Sequence, residues 1–141
     1  MIVKSTSPEE TEELARTIAK KVKPGTVISL IGDLGAGKTL FTAAFARALG
    51  ITEDVSSPTF TIRKDYEGGM MPLYHFDAYR IGDPDEMEEI GYEDCFYGDG
   101  VSIVEWANLI EEIMPEDCAV ITIDRDPDNF MGRIIQVEGI E

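Results

Sequence analysis

The sequence predicts an α/β protein in three layers, with helices over a mostly parallel central sheet and antiparallel strands at its edges. Three observations carry that expectation. Thr26-Val27-Ile28-Ser29-Leu30-Ile31 is a continuous β-favouring run that leads through a glycine-rich turn into helix formers, as a strand buried on both faces leads into its crossover helix. Val101–Val104 repeats the apolar-run pattern. Ala119–Ile123 and Arg133–Val137 read as a closing antiparallel pair.

From the N-terminus, Ser7-Pro8-Glu9-Glu10 has the form of a capping box with Pro at the first helical position, and Leu14, Ile18 and Val22 follow at helical spacing, so a first helix runs to about Lys23. Pro24-Gly25 ends it. After the first buried strand and the glycines, Lys38 to Leu49 forms a second helix with Phe41, Phe45 and Leu49 on one stripe and Gly50 to stop it. Ser57-Pro58 marks a loop. Thr59–Tyr66 and Met71–Phe76 flank Glu67-Gly68-Gly69-Met70 as a β-hairpin. Asp83-Pro84 opens a short acidic helix that ends near Gly91, and Asn108–Met114 forms another short helix.

Composition narrows the function classes. The 141 residues, 43% hydrophobic, are enough for one core, so a single domain over 1–141 is expected. The longest apolar runs are strand-sized and the Met1 end has no basic flank or apolar h-region, which predicts neither membrane span nor export. Cys95 and Cys118 form no CxxC pair, so a reducing cytoplasm is the expected compartment. The net charge of −16 repels polyanions. Direct nucleic-acid binding is therefore disfavoured. Fourteen of the 28 acids fall between Ile81 and Asp124, where no Lys or Arg occurs, a stretch that reads either as a solvated face or as a docking surface for a basic partner.

The strongest chemical signal is Gly32-Asp33-Leu34-Gly35-Ala36-Gly37-Lys38-Thr39, which satisfies G-x-x-x-x-G-K-[ST] between a strand and a helix. Such a phosphate loop turns backbone N–H groups inward around phosphates, and that needs glycine where a Cβ would clash or φ must be positive. Lys38 then meets the β- and γ-phosphates, Thr39 offers its hydroxyl to Mg²⁺, and the helix N-terminus adds partial positive charge. The expected fold is thus a P-loop NTPase-like sandwich whose ligand is a magnesium nucleotide.

Phosphoryl transfer also needs an acid at a neighbouring strand end, to hold the magnesium shell or orient water. Leu73-Tyr74-His75-Phe76-Asp77 offers Asp77, and Val101-Ser102-Ile103-Val104-Glu105 offers Glu105. His75 shares a strand face with Asp77 and reads as a structural imidazole near the site or as a catalytic base. Trp106 packs at the mouth or caps the core. Ser56-Ser57-Pro58-Thr59 falls where P-loop switches place a hydroxyl that senses the γ-phosphate, or is a plain hydroxyl turn.

Gly32–Thr39, Ser57-Pro58-Thr59-Phe60, Tyr74-His75-Phe76-Asp77-Ala78-Tyr79-Arg80 and Val104-Glu105-Trp106 occur in the order of one family, and the chain resembles TsaE, formerly YjeE, from about Thr11 to Asp124. The resemblance implies a small cytoplasmic ATPase that acts with TsaB and TsaD to form threonylcarbamoyladenosine beside the anticodon of tRNA, reaching the RNA through the complex. It implies ATP and Mg²⁺ as cofactors and hydrolysis that is slow alone and stimulated by partners. By it, Lys38 binds phosphate; Thr39, Glu105 and Asp77 serve magnesium; Asp77 and Glu105 support hydrolysis; Thr59 belongs to the switch loop; Trp106 lies at the functional surface. Arg133 resembles a position near the nucleotide. Leu40 departs from a Thr common in the family, and Ala107 from a Pro. Ser5-Thr6-Ser7 is a candidate wall for the adenine, and the protein alone is expected to be a monomer.

Two other classes share a P-loop. A small-molecule kinase would need an arginine-bearing lid, whereas Arg47, Arg63 and Arg80 are scattered; a GTPase-type switch would need an [NT]-K-x-D element, and the sequence has none.

Overall fold

The computed structural model describes residues 1–33 and 35–140. In chain order its elements are β1 (Ile2–Ser5), α1 (Pro8–Ala19), β2 (Val27–Gly32), α2 (Lys38–Ala48), β3 (Arg63–Tyr66), β4 (Leu73–Asp77), α3 (Glu86–Glu89), α4 (Tyr92–Phe96), β5 (Val101–Glu105), β6 (Ala119–Arg125) and β7 (Arg133–Glu138). Short 3₁₀ segments, Ala78–Arg80 and Ala107–Ile113, follow β4 and β5. The strands form one sheet in the order β1-β7-β6-β2-β5-β4-β3. Its centre, β6-β2-β5-β4, is parallel. At the edges β7 runs antiparallel to β6, β1 to β7, and β3 to β4. The α/β class, the parallel centre and the antiparallel edges are as the sequence predicts.

Apolar side chains cover both faces. On one, Leu14 and Ile18 of α1 and Phe41 and Phe45 of α2 pack with Ile28, Leu30, Ile103 and Ile121. On the other, Val27, Phe76 and Val104 meet Met87, Phe96 and Ile110. Strand alternation gathers the chemical side chains on one of these faces. Leu73, Val101 and Ile103 face the α1 and α2 layer, so His75, Asp77 and Glu105, each an even number of residues away, share that face with the helix that leaves the glycine loop.

Several boundaries differ from the sequence expectation. Helix α1 stops at Ala19 rather than near Lys23, ahead of Pro24, which bars Lys23 from the helical region. The expected strand from Thr59 begins only at Arg63. Residues 59–62 are turned, with Ile62 N–H bonded to Pro58 C=O at 2.8 Å. The acidic helix is α3 and stops before Gly91 at φ 71°, as expected, but a further short helix, α4, unanticipated, follows it. The helix expected from Asn108 is a 3₁₀ segment interrupted at Ile110. Strand β1, unanticipated, pairs along β7.

At the start of α1, Ser7 Oγ accepts from Glu10 N–H at 3.3 Å. Glu10 returns the contact to Thr6 N–H at 2.7 Å rather than to Ser7, a capping box displaced by one residue. Ser7→Ala is expected to cost about 1 kcal/mol and lower the thermal midpoint by roughly 2–5 °C. Calorimetry checks this, and an unchanged midpoint would show that the cap contributes nothing.

Candidate active site

Strand β2 delivers the chain into the glycine loop under close constraint. A Cβ on Gly32 would stand 2.7 Å from the Ile123 carbonyl oxygen of β6, so only glycine lets β2 and β6 remain paired there. Gly35 and Gly37 lie at φ 79° and 110°, in the left-handed region. Gly37 is the N-cap of α2 and supplies no side-chain acceptor. The first N–H groups of α2 are therefore left for an anion. From outside, the Arg133 guanidinium grips the loop's carbonyls: Nε donates to Ala36 C=O at 2.7 Å and Nη2 to Gly35 C=O at 3.5 Å, while Nη1 donates to Gly132 C=O at 2.7 Å and Phe130 C=O at 3.3 Å.

Beside the loop, β4 and β5 end in register, with Asp77 opposite Glu105. Both are buried, at 4% exposure each. The two Glu105 oxygens have separate partners: Oε1 lies 3.3 Å from Lys38 Nζ, and Oε2 lies 2.7 Å from His75 Nε2. Burial alone pushes the Glu105 carboxyl up, but the His75 hydrogen bond and the charges of His75 and Lys38 outweigh it and hold the group below the usual carboxylate range. Glu105 is thus an ionised carboxylate at neutral pH.

Asp77 is fixed differently. Its Oδ1 accepts from Tyr79 N–H at 3.0 Å, and its Oδ2 faces the Thr59 hydroxyl at 3.5 Å. Thr59 Oγ1 also lies 2.9 Å from Ser57 Oγ, and Arg80 Nε donates to Thr59 C=O at 3.1 Å. Arg80 lies over the exposed Phe60 ring at 4.7 Å. Trp106 sits with Lys38 Nζ 5.6 Å from its ring and Tyr79 5.0 Å away. Among the described residues, Trp106 at φ 59° and Ile62 at φ 67° are the non-glycine positions in the left-handed region. Trp106 lines this cleft, and Ile62 C=O accepts from the N–H of Asp77, which also lines it; such conformations gather in functional sites.

These groups surround a cleft of about 610 Å³ lined by Gly35, Gly37, Lys38, Thr39, Thr59, Asp77 and Glu105, all expected from the sequence, together with Leu40, Ser57, Tyr79 and Trp106. Leu40 and Tyr79 are lining residues not expected at the site, although Leu40 directly follows the phosphate loop and Tyr79 lies within the Tyr74–Arg80 motif. Gly32 and Asp33 line a smaller cavity of about 150 Å³ on the other side of Lys38 and Trp106, with Asn108 and Asp124. Ala36 is buried within the loop. Arg133 stands behind the loop at its carbonyls. Leu34 lies outside the described residues. In the candidate adenine wall, Ser5 is buried and its hydroxyl is engaged with Ser7 C=O at 2.8 Å and Thr11 Oγ1 at 2.7 Å.

The donor set suits magnesium with a polyphosphate. A hydroxyl from Thr39 and carboxylates from Asp77 and Glu105 are hard oxygen ligands on one cleft. Among the described residues, no three His, Cys, Asp or Glu side chains form a metal cluster. A protein cage is not needed, since magnesium is commonly held by one or two carboxylates plus substrate phosphates.

Residues 5–135 match the family model of "Threonylcarbamoyl adenosine biosynthesis protein TsaE". The chain is 52% identical over 126 residues to the tRNA threonylcarbamoyladenosine biosynthesis protein TsaE of Bacillus subtilis, covering 89% of this chain and 78% of that protein. It is 36% identical over 119 residues to the protein of the same name from Treponema pallidum, covering 84% and 87%. The crystal structure of Bacillus subtilis YdiB superposes over 100% of this chain and 86% of that one, with a TM-score of 0.85 and 43% identity.

Proposed function

The chain belongs to the TsaE family of threonylcarbamoyl adenosine biosynthesis proteins, and from that premise we propose that it is a magnesium-dependent P-loop ATPase acting with TsaB and TsaD in the tRNA modification. The observation that carries this reading is the convergence of Lys38, Thr39, Asp77 and Glu105 on one cleft at the ends of adjacent parallel strands. Ligands of open α/β sheets bind at such ends.

In this reading the N–H groups beyond Gly37 cradle phosphate and Lys38 leaves Glu105 to meet the β- and γ-phosphates. The Thr39 hydroxyl, Asp77 and Glu105 would hold the magnesium shell, and the two carboxylates would orient the attacking water. Thr59 couples the nucleotide to the 57–62 loop, since its hydroxyl and carbonyl already engage Ser57, Asp77 and Arg80. Bound magnesium would supply positive charge against the phosphates. Arg133 holds the loop carbonyls outward and so keeps the N–H groups turned toward the nucleotide.

A net charge of −16 supports indirect contact with tRNA, through partner proteins. No helix among the described residues is long and apolar enough to cross a membrane; the proposed compartment is the cytoplasm, and the proposed state without partners is a monomer. The deciding experiment measures phosphate release from ATP with and without purified TsaB and TsaD, beside a screen for phosphoryl acceptors. Release that is slow alone and raised by the partners is expected. No release in their presence, or transfer to a small acceptor, would overturn the ATPase reading.

ATP should bind more tightly than GTP, because the phosphate loop is complete while the guanine-reading [NT]-K-x-D element is missing from the sequence. Titration with both nucleotides tests this, and equal dissociation constants would refute it.

A further inference from the structure

We infer that His75 is a positioning residue whose one function is to fix the Glu105 carboxylate toward the nucleotide cleft, an inference that rests on the proposed ATPase activity. His75 is wholly buried, at 0% exposure, on a strand whose neighbours Leu73 and Phe76 are equally buried. Burying an imidazole there costs free energy that an apolar ring of similar size would not incur. What the histidine adds is a single contact. Its Nε2 lies 2.7 Å from Glu105 Oε2, and its Nδ1 has no hydrogen-bond partner among the described residues. An ionised carboxylate can only accept, so Nε2 is the donor.

Register places the contact on a diagonal. His75 pairs with Ile103, and Asp77 pairs with Glu105, so the imidazole reaches the carboxylate from one step back along the neighbouring strand. The other oxygen, Oε1, faces Lys38, a flexible chain that must turn to the phosphates when nucleotide enters. The His75 contact lies away from that exchange. It therefore keeps Oε2 in place and leaves Oε1 aimed at the cleft throughout, the kind of outer support that holds a ligating carboxylate in one orientation. His75 itself lies outside the residues that line the cleft.

The test is a double-mutant cycle of His75→Phe and Glu105→Gln, with two readouts. With TsaB and TsaD present, His75→Phe should lower kcat for ATP roughly 10–100-fold. Its nucleotide binding in EDTA should stay within about twofold of wild type, because the phosphate loop is untouched. In the Glu105→Gln background the same substitution should cost no more than about a further twofold, because its effect runs through the carboxylate already removed. His75→Gln, which restores an amide N–H donor, should recover part of the loss. A merely structural histidine would instead give losses that multiply in both backgrounds, and no rescue by Gln.

The second readout is calorimetric and needs no turnover. It is the ratio of ATP affinities with magnesium and with EDTA. That ratio should fall in His75→Phe and in Glu105→Gln, and no further in the double variant. Should His75→Phe fail to fold, His75→Asn, whose amide falls short of Glu105, takes its place in both measurements. A wild-type ratio in the His75 variant, or multiplying losses, would overturn the inference. A wild type that binds magnesium ATP yet releases no phosphate with partners would overturn the ATPase reading instead, leaving the binding cycle to decide the role of His75.

Discussion

Lys38→Ala is expected to weaken ATP binding by on the order of a hundredfold and to abolish hydrolysis. The ammonium lies where β2, α2 and β5 converge, 13% exposed, with Glu105 Oε1 at 3.3 Å and the Trp106 ring at 5.6 Å as its neighbours. A hydrogen bond to a charged group contributes roughly 1.5–3 kcal/mol, and contacts to phosphate lie at the strong end of that range because both partners are ionised. Truncation removes that contact and also the cation that faces Oε1, leaving the buried carboxylate with His75 as its remaining support. The variant should keep its fold, since the side chain spans the site and not the apolar layers. Calorimetric titration with ATP, beside circular dichroism, checks both halves. Binding within about threefold of wild type would mean that Lys38 is held by Glu105 and Trp106 for structure and does not meet phosphate.

What is legible in the sequence divides along physical lines. The glycine loop is readable because the role proposed for it is local: a run of consecutive residues would bring its own backbone to the ligand, and glycines such as Gly32 mark where a side chain cannot stand. Asp77 and Glu105 are readable because an apolar run that ends in an acid needs only strand direction to place it. Strand β1 is not readable, because four residues carry too little alternation and its pairing partner β7 lies at the far end of the chain. Local preference also misleads. Thr-Phe-Thr-Ile at 59–62 favours a strand, yet the loop folds under Asp77, whose N–H bonds Ile62 C=O at 2.8 Å, and Ile62 is driven to φ 67°. Tyr92, Cys95 and Phe96 do carry a helical spacing that marks α4, although its five residues are too few to stand out. The contacts that reach the site from a distance, His75 with Glu105 and Arg133 with Ala36, join segments 30 and 97 residues apart. They depend on register and sheet order, which no local pattern states.

Glu105→Gln is expected to cut turnover by about a hundredfold or more while ATP binding is retained or strengthened. The amide has the shape of the carboxylate and its oxygen can still accept from His75 Nε2, so β5 and the buried pair survive. Its NH₂ then faces Lys38, and a donor meets a donor where an ion pair stood at 3.3 Å. Lys38 is freed from its counter-ion and costs less to turn toward phosphate. Hydrolysis instead loses the negative charge that orients metal and water where charge develops, an effect carried by kcat and not by binding. Acid stability should change in step. Because the folded Glu105 carboxyl titrates below its usual range, its contribution is present above the unfolded pKa and is lost as pH falls through the folded value. The Gln variant has no such loss, so the stability gap between the two proteins should narrow as pH falls below about 4. Asp77→Asn offers the control at the neighbouring strand end: its amide oxygen can still cap Tyr79 N–H, so it too should fold and bind while turning over slowly. Single-turnover hydrolysis with TsaB and TsaD, set beside nucleotide titration, separates the two effects. Normal turnover in Glu105→Gln would reduce the residue to a buried counter-ion for Lys38, and a matching loss of binding would make its role one of structure.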